Sequence, residues 1–412
     1  MSLTAAPVGA LHELTLPNGL RVVYAPMPWL PTVSATLSLP FGSTTDPEGQ
    51  EGAANVLHEW LQRGAGSLDS RAYTDALLDL GVRRGGGSGR EASSLAFGFL
   101  ESVAAPALDL LAASVREPRL EEAEFEAARD LALQELASLD DAPTQRLFEA
   151  LQAEFFASAQ RRSGYGTEEG LTALTPAGVR HDAARRLGPQ GAVLGLAGGG
   201  TWEGLAEAVI AAFGSWSGGN VPVPPARVAP VGRHHVDADS NQVQIGLAFP
   251  SPAPGTDDMY VYLLALEVLS GSMGARLFTE VREKRGLVYS VSAFFRALRG
   301  FGYTLGYAGT TAERAGETLE VFLAELARLA EGVSDAELER ARTGLLSSIV
   351  MAGEASGATA GRLSNDVVLF GRPRTAAEIT AHIEGVTASQ VNRYLAANPI
   401  PQPTVVTLGP AA

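Results

Sequence analysis

The sequence predicts a duplicated α+β protein made of two similar halves, each about 200 residues long. Three observations carry that expectation. The order strand, helix, helix, strand, helices, strand can be read twice along the chain. Each half holds both the period-2 alternation of a half-buried strand and the three-to-four spacing of an amphipathic helix. Between them lies Ser215-Trp216-Ser217-Gly218-Gly219-Asn220-Val221-Pro222-Val223-Pro224-Pro225, rich in Gly and Pro without apolar periodicity, which is a linker signature. The expected domains are residues 1–218 and 219–412.

The elements follow in order. Positions 12–16 and 20–24 flank Pro17-Asn18-Gly19, a hairpin signal because Asn and Gly tolerate positive φ. Val33, Ala35, Leu37 and Leu39 then alternate with Thr32, Ser34, Thr36 and Ser38 as a strand. A helix over 52–64 comes next, and another over 70–80, with Ser70 as N-cap and Gly81 as its stop. The tract 85–89 is Gly-Gly-Gly-Ser-Gly, which lacks the Lys and Ser/Thr of a phosphate loop and reads as a flexible or bulged strand. A strand resumes over 93–99. Positions 103–116, 121–138 and 142–156 are helical by periodicity, 191–196 is a short buried strand, and 201–213 is an amphipathic helix.

After the linker, Val243, Ile245, Leu247 and Phe249 alternate as a strand, and helices follow over 257–269 and 275–284, stopped at Gly271 and Gly286. Positions 287–298 and 301–308 form a hairpin over Arg299-Gly300. Three later helices open with capping boxes, Ser334 with Glu337, Thr375 with Glu378 and Thr387 with Gln390. A last strand covers 404–408.

With 412 residues, 46% of them hydrophobic, the chain can bury a large core. A net charge of −15 opposes nucleic-acid backbones and anionic lipid, both of which call for a basic surface, so neither is an expected partner. The lack of cysteine excludes disulfides, thiolate metal sites and a Cys nucleophile. The nitrogen ligands left are His12, His58, His181, His234, His235 and His382, and no two stand at i and i+4. His234 and His235 are neighbours, so on a strand they point to opposite faces and do not share a metal. No serine sits in a G-x-S-x-G elbow. Residues 1–11 lack the basic start and apolar run of a signal peptide, and no stretch of 18 apolar residues occurs. A cytoplasmic location is the expectation.

Chemistry concentrates in the 52–64 helix, where Asn55, His58 and Glu59 share one face. An inverted zinc-peptidase motif, H-x-x-E-H, needs imidazoles at i and i+4 to hold Zn²⁺ and a carboxylate at i+3 as base. Here Asn55 and Glu59 stand at the ligand slots and His58 at the base slot.

Around that helix the sequence resembles the pitrilysin-type peptidases, the family of insulysin and the mitochondrial processing peptidase. Leu16-Pro17-Asn18-Gly19-Leu20-Arg21-Val22, Gly42-Ser43 and Gly52-Ala53-Ala54 follow the family's order, and 129–135 resembles its distal helix, which supplies a glutamate ligand at Glu135. A second glutamate usual in the family is Ala128 here, and the Asn-Ala pair of its substrate-binding strand aligns with Gly85-Gly86. Residues 269–278 and 281–290, containing Arg282 and Tyr289 seven apart, resemble its second-domain signature most closely.

The resemblance implies two α/β-sandwich domains, each a mainly antiparallel sheet packed with helices, and a degenerate metal site at Asn55, His58, Glu59 and Glu135. It also implies that Arg282 and Tyr289 act in trans, holding the substrate carbonyl oxygen where negative charge develops. The bland alternative makes Arg282 a surface ion pair and Tyr289 a sheet filler. Lys284 and Arg285 read as solvated helix-end charges.

The function so implied is that of a non-catalytic subunit of a heterodimeric zinc peptidase. Its partners would be a homologous chain with intact H-x-x-E-H and an unfolded peptide; the chain itself would hold no metal, and zinc would sit in the partner. A homodimer of the isolated chain stays open. Two rival readings remain, an inert assembly subunit resembling respiratory-complex core proteins, and a hydrolase using another metal through His58, Glu59 and Glu135.

Overall fold

A computed structural model describes residues 10–410. Most of the amino-terminal stretch read above for a leader lies outside that range. Among the described residues no helix is long and apolar enough to cross a membrane.

The first sequence half gives strands β1 (His12–Thr15), β2 (Arg21–Pro26), β3 (Thr32–Leu39), β4 (Arg83–Ser88), β5 (Ser93–Leu100) and β6 (Val193–Gly198). Its helices are α1 (Ala53–Leu61), α2 (Ser70–Asp79), α3 (Ala104–Arg116), α4 (Glu122–Ala137), α5 (Pro143–Phe155), α6 (Glu168–Ala173), α7 (Pro176–Arg186) and α8 (Trp202–Phe213). The second half gives β7 (Arg233–Asp237), β8 (Val243–Ser251), β9 (Val288–Leu298), β10 (Phe301–Thr310) and β11 (Thr404–Gly409). With them come α9 (Asp258–Ser270), a π-helical turn (Phe278–Glu283), α10 (Ala315–Leu329), α11 (Asp335–Gly353), α12 (Ser356–Phe370), α13 (Ala376–Gly385) and α14 (Ala388–Ala397).

The duplication is plain in the sheets. One runs β1-β2-β6-β3-β5-β4 and the other β7-β11-β8-β10-β9. In both, the pair containing the closing strand is parallel, β2 with β6 and β7 with β11, and the pairings beyond it are antiparallel. β7 therefore corresponds to β2, and among the described residues β1 has no counterpart.

The chain divides into two compact units. Unit 1 takes residues 10–138, 162–224 and 351–375, and unit 2 takes 139–161, 225–350 and 376–410. Set beside contiguous halves 1–218 and 219–412, the units exchange two helices. Leu147, Leu151 and Phe155 of α5 bury against Ala248, Tyr303, Leu305 and Val406 of the second sheet. Ala360, Leu363 and Val367 of α12 bury against Val23, Val193 and Ala197 of the first. Each sheet is thus a sandwich, with several helices on one face and one helix from the other sequence half on the opposite face. The second face of a sheet is apolar too and has to be covered.

Local signals explain the boundaries. Gly19 takes φ +96° in the β1–β2 turn and Gly300 φ +67° in the β9–β10 turn, conformations that favour glycine. The capping boxes at Ser334/Glu337 and Thr387/Gln390 form. Asp69, not Ser70, caps α2 by accepting from Ala72 N. The expected helix over 275–284 ends as a π turn rather than an α-helix.

Candidate functional site

In unit 1 the altered site begins with how α1 is held. The Asp46 carboxylate accepts from Gly52 N at 2.8 Å and Ala54 N at 2.9 Å, capping the helix where its free N–H groups and dipole favour negative charge. Arg186 of α7 donates to the same carboxylate at 3.0 Å, and neither side chain of this pair is exposed. Burial pushes the Asp46 carboxyl up to about 6, against the opposing pull of Arg186 and the backbone N–H groups. Farther along, Trp60 donates to Glu121 O and meets Phe125 edge-on at 5.0 Å, which fixes α4 against α1.

That packing brings Glu135 of α4 to Asn55 of α1, whose Nδ2 donates to Glu135 Oε2 at 2.9 Å. His58 is 2% exposed, and its Nε2 lies 3.2 Å from Gln62 Nε2. With the amide N–H facing that ring nitrogen, the imidazole proton sits on Nδ1, which is buried without a hydrogen-bond partner among the described residues. Burial pulls the ring down to about 4, so it is neutral near pH 7. Glu59 is pushed above the usual carboxylate range, chiefly by burial and then by Glu135, against Arg63 and Arg84. Arg84 reaches in from β4 to donate to Gln62 O, and Arg63 pairs with Glu124.

Of the four first-unit residues, Asn55 and Glu135 meet in a hydrogen bond and Glu59 feels the Glu135 charge, whereas His58 meets Gln62 instead. The group facing Glu135 is an amide N–H. Among the described residues no three His, Cys, Asp or Glu side chains are grouped to hold a metal. As arranged, these side chains do not fit zinc: the His58 Nε2 faces the Gln62 amide and the Glu135 carboxylate the Asn55 amide, so the described residues open no tetrahedral shell of imidazole and carboxylate.

In unit 2, Arg282 lies on the π turn, a kind of irregularity frequent at functional sites. Its guanidinium sits over the Phe278 ring at 4.9 Å, and among the described residues it has no carboxylate partner. Tyr289, the second residue of β9, is 66% exposed. Lys284 and Arg285, expected to be solvated, are exposed and also pair with Glu280 at 2.7 and 2.8 Å, whose carboxyl is held down to about 2 by those hydrogen bonds. Among the basic residues of this segment, Arg282 is the one left free of an ion pair; Arg276 pairs with Glu337.

Gly85 and Gly86 lie on β4, an exposed edge strand, and a Cβ at Gly86 would come 2.0 Å from Ser94 O. His234 and His235 point to opposite faces, toward Glu154 and Thr407. Sequence reasoning missed Gln62, Arg63 and Arg84. Gln62 was visible as the i+4 neighbour of His58, whereas Arg84 arrives through sheet pairing that no local pattern encodes.

Two family models match the chain, Insulinase (Peptidase family M16) over residues 21–167 and Peptidase M16 inactive domain over residues 174–345. Similar proteins include an uncharacterized zinc protease of Mycobacterium tuberculosis, 28% identical over 400 residues, covering 94% of this chain and 91% of that protein. The uncharacterized zinc protease YmxG of Bacillus subtilis is 24% identical over 393 residues, covering 93% and 94%. A solved peptidase M16 inactive domain from Pseudomonas fluorescens has a TM-score of 0.88 at 22% identity, covering 98% of both chains. A protease from Helicobacter pylori has 0.89 at 18%, covering 98% of this chain and 100% of that one. These two structures share the fold.

Proposed function

The chain belongs to peptidase family M16, and from that premise we propose that it is the non-catalytic subunit of a two-chain zinc peptidase of the cytoplasm. A homologous chain with intact H-x-x-E-H would supply the zinc and its water. This chain would supply Arg282 and Tyr289, and the substrate would be an unfolded peptide. Hydrolysis of a peptide bond develops negative charge on the carbonyl oxygen, and a guanidinium with a phenolic O–H stabilises it at that moment.

One contrast carries this reading. In unit 1 the Asn55 amide donates to Glu135 beside a buried neutral imidazole, while in unit 2 the Arg282 guanidinium and the Tyr289 ring stay exposed and clear of the surrounding ion pairs. The zinc-protease names borne by the similar proteins support a place in proteolysis.

The test mixes this chain with an H-x-x-E-H homologue from the same genome and follows cleavage of an unstructured fluorogenic peptide. Activity should exceed that of either chain alone and fall on the order of a hundredfold with Arg282→Ala. A partner rate indifferent to this chain and to Arg282→Ala would support an inert assembly subunit instead.

A further inference from the structure

The duplicated topology exposes one unmatched feature. In unit 1, β2 runs parallel to β6 and its other side is covered by β1, antiparallel, from His12 opposite Tyr24 to Thr15 opposite Arg21. In unit 2 the corresponding strand β7 runs parallel to β11 and ends the sheet. Among the described residues no strand covers its outer side. Gly232 O accepts from Val405 N, and Ala238 N donates to Gly409 O, so the even positions face β11. Alternation along the strand then turns the N–H and C=O groups of Arg233, His235 and Asp237 outward.

We propose that this edge pairs with the same strand of a second copy of the chain, antiparallel about a two-fold axis through His235. The outward positions are symmetric about that residue. Arg233 of one copy meets Asp237 of the other, twice, and the two His235 backbones meet on the axis. Each of these pairs exchanges backbone hydrogen bonds, so every outward group of the strand finds a partner.

The side chains agree with the backbone. Residues 233, 235 and 237 share one sheet face, so each Arg233 lies directly opposite an Asp237 of the other copy. Arg233 is exposed and has no carboxylate partner among the described residues, and the Asp237 side chain, 3.3 Å from His235 Nε2 of its own strand, is still 81% exposed. Charges on an edge strand ordinarily deter pairing. Here they deter a parallel, in-register pairing, which would set Arg233 on Arg233, and favour the antiparallel one. The occupant is also of the kind that covers the matching edge in unit 1, an antiparallel strand. Five residues make a short seam, below the roughly 1,200 Å² of a stable interface, so the dimer is weak and reversible.

Sedimentation velocity on the full chain, from about 1 μM to about 1 mM, tests the proposal; the expected dissociation constant is on the order of 100 μM. Arg233→Asp alone and Asp237→Arg alone should each weaken association about tenfold or more, because each sets like charges opposite one another. Mixed in equal amounts, those two variants should associate again, since every opposing pair becomes complementary. His235→Pro removes an outward N–H that bonds none of the described residues, so it should abolish the dimer and leave the circular dichroism unchanged. A chain that stays monomeric throughout, a dimer that ignores the charge reversals, or a mixture that fails to recover association would overturn it.

Discussion

Replacing His58 with Gln should remove an acid sensitivity that this buried ring builds into unit 1. The ring titrates at 6.5 when exposed and at about 4 in the fold, because burial disfavours the imidazolium. Between those values the unfolded chain binds the proton and the folded chain does not, so this contribution to stability is full above the upper value and falls with acidification. At about pH 5 the difference amounts to about 2 kcal/mol. Asp46 works in the opposite direction. Its folded carboxyl is raised to about 6, so in the same window the folded state takes up the proton first, which offsets about 1 kcal/mol at about pH 5. Both groups act in the wild type and only Asp46 acts in His58→Gln. The assay is urea unfolding of both chains at about pH 8 and about pH 5, comparing the change in stability rather than its absolute value. The wild type should lose about 2 kcal/mol more on acidification than the variant. Equal losses would show that His58 is already charged or solvated in the fold, and would refute its place as a buried neutral ring.

Removing one partner of the Asp46–Arg186 pair should be costly. Asp46→Ala strands a buried guanidinium and two helix N–H groups, and about 3 kcal/mol should be lost in chemical denaturation at neutral pH. Gly195→Ala would place a Cβ 2.2 Å from Ala360 O, where α12 lies on β6, and should lower the melting temperature through a loss of about 3 kcal/mol. The triple change Asn55→His, His58→Glu and Glu59→His restores two imidazoles at i and i+4 opposite Glu135. Elemental analysis should find about one zinc per chain in that variant and none in the wild type, whereas equal uptake by both would show that the native donor set already suffices.

Much of the fold is legible in the sequence because its signals are local. Alternation marks β3 and β8, Asn18-Gly19 marks the first hairpin, and Thr201, Ser334 and Thr387 start helices by capping them. The destination of an apolar helix face is not local. Leu147, Leu151 and Phe155 announce an amphipathic α5, yet nothing in their spacing says that they cover the sheet of the other sequence half. The same limit applies at the site. Asn55, His58 and Glu59 share a helix face by spacing alone, and Glu135 was placed by resemblance. Arg84 stayed hidden because it arrives through strand pairing, and the π turn under Arg282 because no residue pattern distinguishes it from an ordinary last helical turn.

The proposed role is tested most directly by steady-state kinetics of the reconstituted pair with Tyr289→Phe in this chain. Loss of the phenolic O–H, which should matter mainly when charge develops on the carbonyl oxygen, should lower kcat on the order of tenfold or more while KM changes little. Unchanged kcat in the pair, or cleavage of the peptide by this chain alone with zinc bound in unit 1, would contradict it.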